Sequence, residues 1–186
     1  MYTFLKDKLL DEEGKEIMME WETSLMEEHA KIVTANGGDI LEIGFGMGIC
    51  SNFIQQANIN THTIIEIHNE VFERLLEWAK DKPNVIPIKG DWFDSIPKDK
   101  KYDGIMHDTW EEKNWHHFLP NIKSSLNPKG IVSFYNSETE ESLKNNCNNI
   151  KWSTLDLKKI KVKPPINNMK YKYYDRNIYF VPKLTI

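Results

Sequence analysis

The stretch Leu41-Glu42-Ile43-Gly44-Phe45-Gly46-Met47-Gly48 limits what this chain can fold into more than any other. A short apolar run ends in three glycines at alternate positions, and a helical pattern follows. Glycine lets the chain turn tightly there and lets a ligand lie against bare backbone. The helix start beyond it offers unpaired N–H groups. Glycines in such a row are costly unless something approaches them. Nicotinamide and flavin enzymes use the same device, so the loop alone leaves the ligand open.

The residues around the loop alternate between strand and helix patterns. Strands are expected at Asp39 to Ile43, His62 to Ile67, Asn84 to Ile88, Tyr102 to His107 and Ile131 to Tyr135. Helices are expected at Glu16 to Asn36, Gly48 to Gln56 and Asn69 to Lys80, and where Trp115, Phe118, Leu119, Ile122 and Leu126 recur at helical spacing. Two late runs, Trp152 to Leu157 and Asn177 to Val181, read as closing strands, Asn127 to Gly130 as a turn and Asn145 to Asn149 as a loop. Strands separated by helices of this length imply an α/β, Rossmann-like, doubly wound and mostly parallel sheet. An antiparallel C-terminal strand pair completes the expectation. One domain over residues 1–186 is expected, with a helical segment over 1–37 that covers the site.

Composition narrows the function classes. The net charge of −4 argues against general affinity for nucleic acid, which depends on neutralising phosphates. A basic stretch from Lys158 to Lys172 reads as a solvated strand edge. No apolar run is long enough to cross a bilayer. The first ten residues lack the basic start and apolar stretch of a secretory signal. Two cysteines, Cys50 and Cys147, form no disulfide framework and no metal spacing, so a cytoplasmic setting is expected. His116 and His117 are adjacent and diverge by about 100° on a helix, so they do not chelate together and no metal is expected.

Carboxylates mark the rest of the site. Glu66 ends the strand that follows the loop's own, where an acid can accept both ribose hydroxyls. Asp108 follows the strand Tyr102 to His107, and ligands of open α/β sheets bind beyond the carboxyl ends of strands. Met18, Glu22 and Met26 are each four apart, which on a helix is one stripe.

The Glu42-x-Gly44-x-Gly46-x-Gly48 pattern resembles the first motif of class I methyltransferases, and Gly90-Asp91-Trp92 continues that resemblance. Met18-Met19-Glu20-Trp21-Glu22, Leu41 to Ile49, Ile64-Ile65-Glu66, Val85 to Trp92 and Tyr102-Asp103-Gly104-Ile105-Met106-His107-Asp108-Thr109 together resemble guanidinoacetate methyltransferase. They resemble equally its relatives that methylate arginine, including the fungal δ-nitrogen type. Asn127 to Gly130 and Val162 to Pro165 also fit.

The resemblance implies S-adenosyl-L-methionine as cofactor and a guanidino substrate, either a small molecule or a peptidyl arginine. It implies that Met18, Met26, Glu42 and the loop residues Gly44, Phe45, Gly46, Met47, Gly48 and Ile49 hold the cofactor. Glu66, with Ile67 and His68, would bind its ribose, and Asp91 and Trp92 would lie near adenine. Glu22 and Asp108 would grip the guanidinium and act in catalysis. Trp21, Thr109, Glu138 and Thr139 would contact the substrate. Tyrosine in the family becomes His107 here, and only Tyr2 and Phe4 stand where the guanidinoacetate enzyme has aromatics covering its substrate. The family's Leu-Thr-Ser reads Ser137-Glu138-Thr139, whose acid would repel a substrate carboxylate unless an ammonium accompanies it. Arginine is therefore expected as an acceptor beside guanidinoacetate. Methylation of another small amine, a cofactor-binding partner subunit without activity, and a nicotinamide oxidoreductase are the alternatives.

Overall fold

The computed structural model describes residues 1–109, 114–151, 153–164, 174 and 176–186, with backbone only at 114–116. Trp152, residues 165–172 of the basic stretch, and the Trp115 and His116 side chains lie outside the described residues.

The elements in chain order are β1 (Thr3–Phe4), β2 (Lys8–Leu10), β3 (Glu16–Met19), α1 (Thr23–Val33), β4 (Asp39–Ile43), α2 (Ile49–Gln55), β5 (Thr61–Glu66), α3 (Asn69–Ala79), β6 (Val85–Lys89) and α4 (Trp92–Ser95). There follow β7 (Tyr102–His107), α5 (Asn114–Ile122), β8 (Leu126–Phe134), α6 (Glu140–Cys147), β9 (Thr154–Lys161) and β10 (Ile178–Thr185). The main sheet has seven strands in the order β6-β5-β4-β7-β8-β10-β9. Its first five strands are parallel; β10 runs antiparallel to both β8 and β9.

Adjacent residues of the central strands serve opposite faces. Ile40, Ile64 and Met106 join one buried cluster with Met26 and Leu75, beneath α1 and α3. Leu41, Ile65 and Ile105 join the other with Phe118 and Leu143, beneath α5 and α6. That explains why these strands read as continuous apolar runs: a parallel sheet is covered on both sides. Each fully buried Ile or Leu contributes about 1.5–3 kcal/mol.

The N-terminal segment differs from the expected long helix. Residues 16–19 form β3 in a three-stranded antiparallel sheet with β1 and β2, and α1 starts only at Thr23 after a 3-10 turn over Glu20–Glu22. The cause is local. Asp11 Oδ1 accepts from the N–H groups of Glu13 and Lys15, and Gly14 takes φ +77, so 11–15 form a tight hairpin. The hairpin commits Met18 and Met19 to pairing with Leu9 and Lys8. Met18, Glu22 and Met26 therefore do not share a helical stripe; a strand, a 3-10 turn and a helix carry them.

Two other expectations need correction. The asparagine-rich run at Asn145 to Asn149 is not wholly a loop, because α6 extends through Cys147, which is buried with Leu143. The turn expected over Asn127 to Gly130 is an irregularity inside β8, where pairing with β7 slips and Lys129 takes φ +67.

Gly104 on β7 lets α1 approach the sheet, since a Cβ there would sit 1.8 Å from the Val33 carbonyl oxygen. Gly104→Ala should therefore lower stability by about 1–3 kcal/mol through overpacking. Urea unfolding checks this, and an unchanged midpoint would mean that α1 can retreat freely.

Candidate functional site

The glycine loop lies at the carboxyl edge of the sheet, between β4 and α2. The Gly44 N–H donates to Ile65 O at 2.9 Å, and the Asp108 N–H donates to Ile43 O at 2.8 Å, so the ends of β4, β5 and β7 are tied together. Gly44, Gly46 and Gly48 take φ of +89, +53 and +74. A Cβ on Gly44 would fall 1.9 Å from the Asp108 carbonyl oxygen, so no other residue fits there. Met18 reaches the loop from β3: its sulfur accepts from the Met47 N–H at 3.2 Å.

The acids divide into two roles. Glu42 is 1 % exposed; it accepts from the Ser51 hydroxyl at 2.6 Å and lies 2.9 Å from His62 Nε2. It therefore lies under the loop and braces α2. Glu66 is 5 % exposed at the end of β5, with Oε2 accepting from Phe45 N–H at 3.0 Å and Oε1 from His68 N–H at 2.7 Å. Each of its oxygens has a second lone pair, so the backbone aims this carboxylate without saturating it.

Asp108 follows β7. It is partly exposed as a residue, but burial of its carboxyl, with Glu42 and Glu66 adding repulsion, raises its pKa from 3.8 to about 7. Beside it, Thr109 Oγ1 is buried without a hydrogen-bond partner. Glu22 is 3 % exposed, and its Oε1 accepts from the Met19 N–H at 2.8 Å, which holds the carboxyl back toward β3.

A buried polar chain ties α1 to β8 and β10. The Ser133 hydroxyl donates to Pro182 O. Ser133 Oγ must then accept from His29 Nδ1–H, 2.7 Å away. His29 Nε2 is left as an acceptor for the Tyr179 hydroxyl at 2.9 Å. Tyr179 accepts in turn from the Asn136 N–H at 3.1 Å. Burial lowers the His29 pKa to about 3, which keeps this tautomer neutral. The Tyr179 phenol is held protonated by burial first, and then by repulsion from Asp108, Tyr174 and Glu22. Both carboxylates thus act electrostatically on this one phenol.

The other expected positions divide clearly. Met26 is fully buried in the core, and the Phe45 ring packs on Trp78 at 5.4 Å, so neither side chain is open to a ligand; the backbone of Phe45 is what reaches Glu66. Ile49 and Met47 are half-buried at the loop, while Ile67 and His68 are exposed beyond β5. Asp91 is exposed and caps α4 by accepting from the Phe93 N–H at 2.9 Å. Trp92 packs edge-on against His107 and Phe118 at 5.9 and 5.2 Å. Trp21 is half-buried, 5.9 Å from the Tyr174 ring. Glu138 accepts from the Ser142 hydroxyl, and Thr139 caps α6.

Sequence reasoning missed His29, Ser133, Asn136 and Tyr179. His29 falls on the apolar face of α1, which was the only signal available. Tyr2, expected with Phe4 in place of the family's aromatics, has its hydroxyl 2.9 Å from His68 Nε2, and its pKa is raised to about 12 by burial and by Asp11, Glu66, Glu70 and Glu12. Phe4 lies under the Arg74 guanidinium at 3.8 Å. The N-terminal sheet thus covers the β5–α3 edge.

The site fits a bound cofactor of the S-adenosylmethionine kind: a bare positive-φ loop, an aimed carboxylate at the end of β5, and an orphaned Thr109 hydroxyl beside Asp108. Among the described residues no group of three or more His, Cys, Asp or Glu could hold a metal ion, and no helix is long and apolar enough to cross a membrane.

Because Asp108 keeps its proton in the folded state between pH of about 4 and 7, while the unfolded chain has lost it, stability falls as pH rises through that window. Asp108→Asn should therefore raise the thermal midpoint of the ligand-free protein at pH 8 and leave it nearly unchanged at pH 4. Tyr179→Phe should lower stability by about 1–3 kcal/mol, because His29 Nε2 and the Asn136 N–H lose their buried partner. Denaturant midpoints read both.

Comparison with known proteins agrees with this geometry. Among solved structures, a precorrin-6y C5,15-methyltransferase from Geobacter metallireducens superposes with a TM-score of 0.67 at 9 % identity, covering 100 % of this chain and 94 % of that one. The N-methyltransferase NodS from Bradyrhizobium japonicum gives 0.65 at 12 % identity over 89 % and 96 %. These likenesses show the class I methyltransferase fold. The chain is 30 % identical to protein arginine N-methyltransferase 2 of Candida glabrata over 98 % of its own length and 50 % of that protein, and 29 % identical to the Saccharomyces cerevisiae protein over 96 % and 50 %. It thus spans about half the length of these curated relatives. The model of the guanidinoacetate N-methyltransferase family matches residues 4–162, and the chain belongs to that family.

Proposed function

We propose that this chain is an S-adenosylmethionine-dependent N-methyltransferase whose acceptor is a guanidino group, that of arginine or of a guanidinoacetate-like compound. The observation that carries the reading is the bare glycine loop packed against the Asp108 backbone, with the Glu66 carboxylate aimed at its edge. The relatives named for protein arginine methylation support arginine as the acceptor.

The cofactor, when bound, supplies an electrophilic methyl on a positively charged sulfur. Gly44 to Gly48 would lie against it, Glu66 would accept from its ribose hydroxyls, and Met18 would support the loop from below. The acceptor is a planar cation with several N–H donors, and its nitrogen has little free lone pair at neutral pH. Glu22, fixed by the Met19 N–H, would hold the guanidinium plane. Asp108 would accept the proton that the nitrogen must shed as it gains a methyl. Its raised pKa suits that task, since a base works best when its pKa lies near the working pH. Arrival of a cation beside Asp108 favours its ionised form, so binding of the substrate would itself generate the base.

The direct test is mass-spectrometric detection of methyl transfer from labelled cofactor to a panel of guanidino compounds. Product on arginine or guanidinoacetate is expected. Binding of S-adenosylhomocysteine with no product on any guanidine would identify a non-catalytic module instead. In the active enzyme kcat/KM should rise with pH through about 7, and Asp108→Asn should lower it by about 100-fold or more while S-adenosylhomocysteine affinity stays within about twofold.

A further inference from the structure

We propose that Tyr2 is a positioning residue for cofactor binding: it fixes the turn at His68 and, through that turn, the Glu66 carboxylate that accepts from the ribose hydroxyls. The proposal rests on the cofactor reading above and gives the N-terminal strand a part in it.

The Glu66 carboxylate has two supports of different kinds. Its Oε2 accepts from the Phe45 N–H at 3.0 Å, within the glycine loop. Its Oε1 accepts from the His68 N–H at 2.7 Å. His68 is exposed and lies in the turn that joins β5 to α3. A donor on an exposed turn aims a carboxylate only as well as the turn is itself held. From the end of β6, Lys89 Nζ donates to Ile67 O, and the Gly90 N–H donates to Glu66 O at 3.0 Å. From the N-terminal segment, Tyr2 reaches the imidazole. Its hydroxyl lies 2.9 Å from His68 Nε2, and the two rings meet edge-on with centroids 4.6 Å apart.

Tyr2 is anchored in its turn. Tyr2 and Phe4 pack against the buried cluster that holds Leu9 and Met18. Phe4 lies under the Arg74 guanidinium of α3 at 3.8 Å. Met18 Sδ accepts from the Met47 N–H at 3.2 Å. The N-terminal sheet thus touches both the glycine loop and the turn into α3, and these carry the two N–H groups that hold Glu66.

A phenol beside a carboxylate is useful only while it stays neutral. Burial first, and then Asp11, Glu66, Glu70 and Glu12, push the Tyr2 hydroxyl up to about 12, so it carries no charge at neutral pH. The presence of Glu66 among those groups puts the hydroxyl within electrostatic reach of the acid it serves. A neutral hydroxyl steadies the turn and leaves the free lone pairs of Glu66 for the ribose.

The test measures S-adenosylhomocysteine binding to the full chain by calorimetry, beside the 2′,3′-dideoxy analogue, which lacks both ribose hydroxyls. Tyr2→Phe keeps the ring and removes the hydroxyl. It should weaken S-adenosylhomocysteine about three- to tenfold, the worth of one hydrogen bond, and leave the dideoxy analogue within about twofold. His68→Ala should give a similar loss. The double variant should lose no more, because both changes break one link. His68→Gln, whose amide reaches where Nε2 stood, should keep most of the affinity. Matching ligand-free thermal midpoints show that the variants fold. If Tyr2 merely covers the site, Tyr2→Phe weakens both ligands equally, and that result overturns the proposal. Additive losses in the double variant overturn it too. A wild-type chain that binds neither ligand overturns the cofactor reading as well, whereas S-adenosylhomocysteine affinity unchanged by Tyr2→Phe overturns this role alone.

Discussion

The buried chain of hydrogen bonds from Pro182 through Ser133, His29 and Tyr179 to Asn136 is the contact on which the site depends. Every donor in it has an acceptor, and the first link, the Ser133 hydroxyl on a backbone carbonyl, fixes the direction of the rest. His29 belongs to α1, whose first turn follows Glu22, while Ser133 and Asn136 belong to β8 and its end. The chain therefore sets where the helix that follows Glu22 lies against the sheet that carries Asp108. An apolar contact would permit sliding, but a fully satisfied polar network in a low-dielectric interior tolerates one arrangement.

Around that fixed frame the protein concentrates negative charge. Glu42 and Glu66 both raise the Asp108 pKa, and both Asp108 and Glu22 act on Tyr179. Such a cluster is unfavourable by itself, and burial increases the cost. A positively charged ligand bound beside these acids would offset that cost. Glu42 contributes without touching the ligand space, because Ser51 and His62 hold it beneath the loop.

Much of this was legible in the chain. The alternating apolar runs gave the doubly wound sheet, because a strand covered on both faces must be apolar at every position. The glycine loop and Glu66 were visible because ligand approach needs bare backbone and a strand-end acid. The N-terminal segment was misread for a clear reason. Met18, Glu22 and Met26 have helical spacing, but the Asp11–Gly14 turn captures Met18 in a hairpin before α1 begins. Residues four apart share a face only if one helix contains them all. The asparagine run was misread in the opposite direction: weak helix formers continue α6 because Leu143 and Cys147 bury its inner face.

Composition and spacing by themselves determined the layer order, the bare loop and the identity of the acids at strand ends, because each follows from periodicity or from backbone sterics within a few residues. Only the tertiary structure decided that Glu42 is a brace while Asp108 has its pKa raised to about 7, and that His29 meets Tyr179 across 150 residues. Proton affinity and long-range pairing depend on desolvation and on neighbours brought together by folding, and no local pattern encodes either.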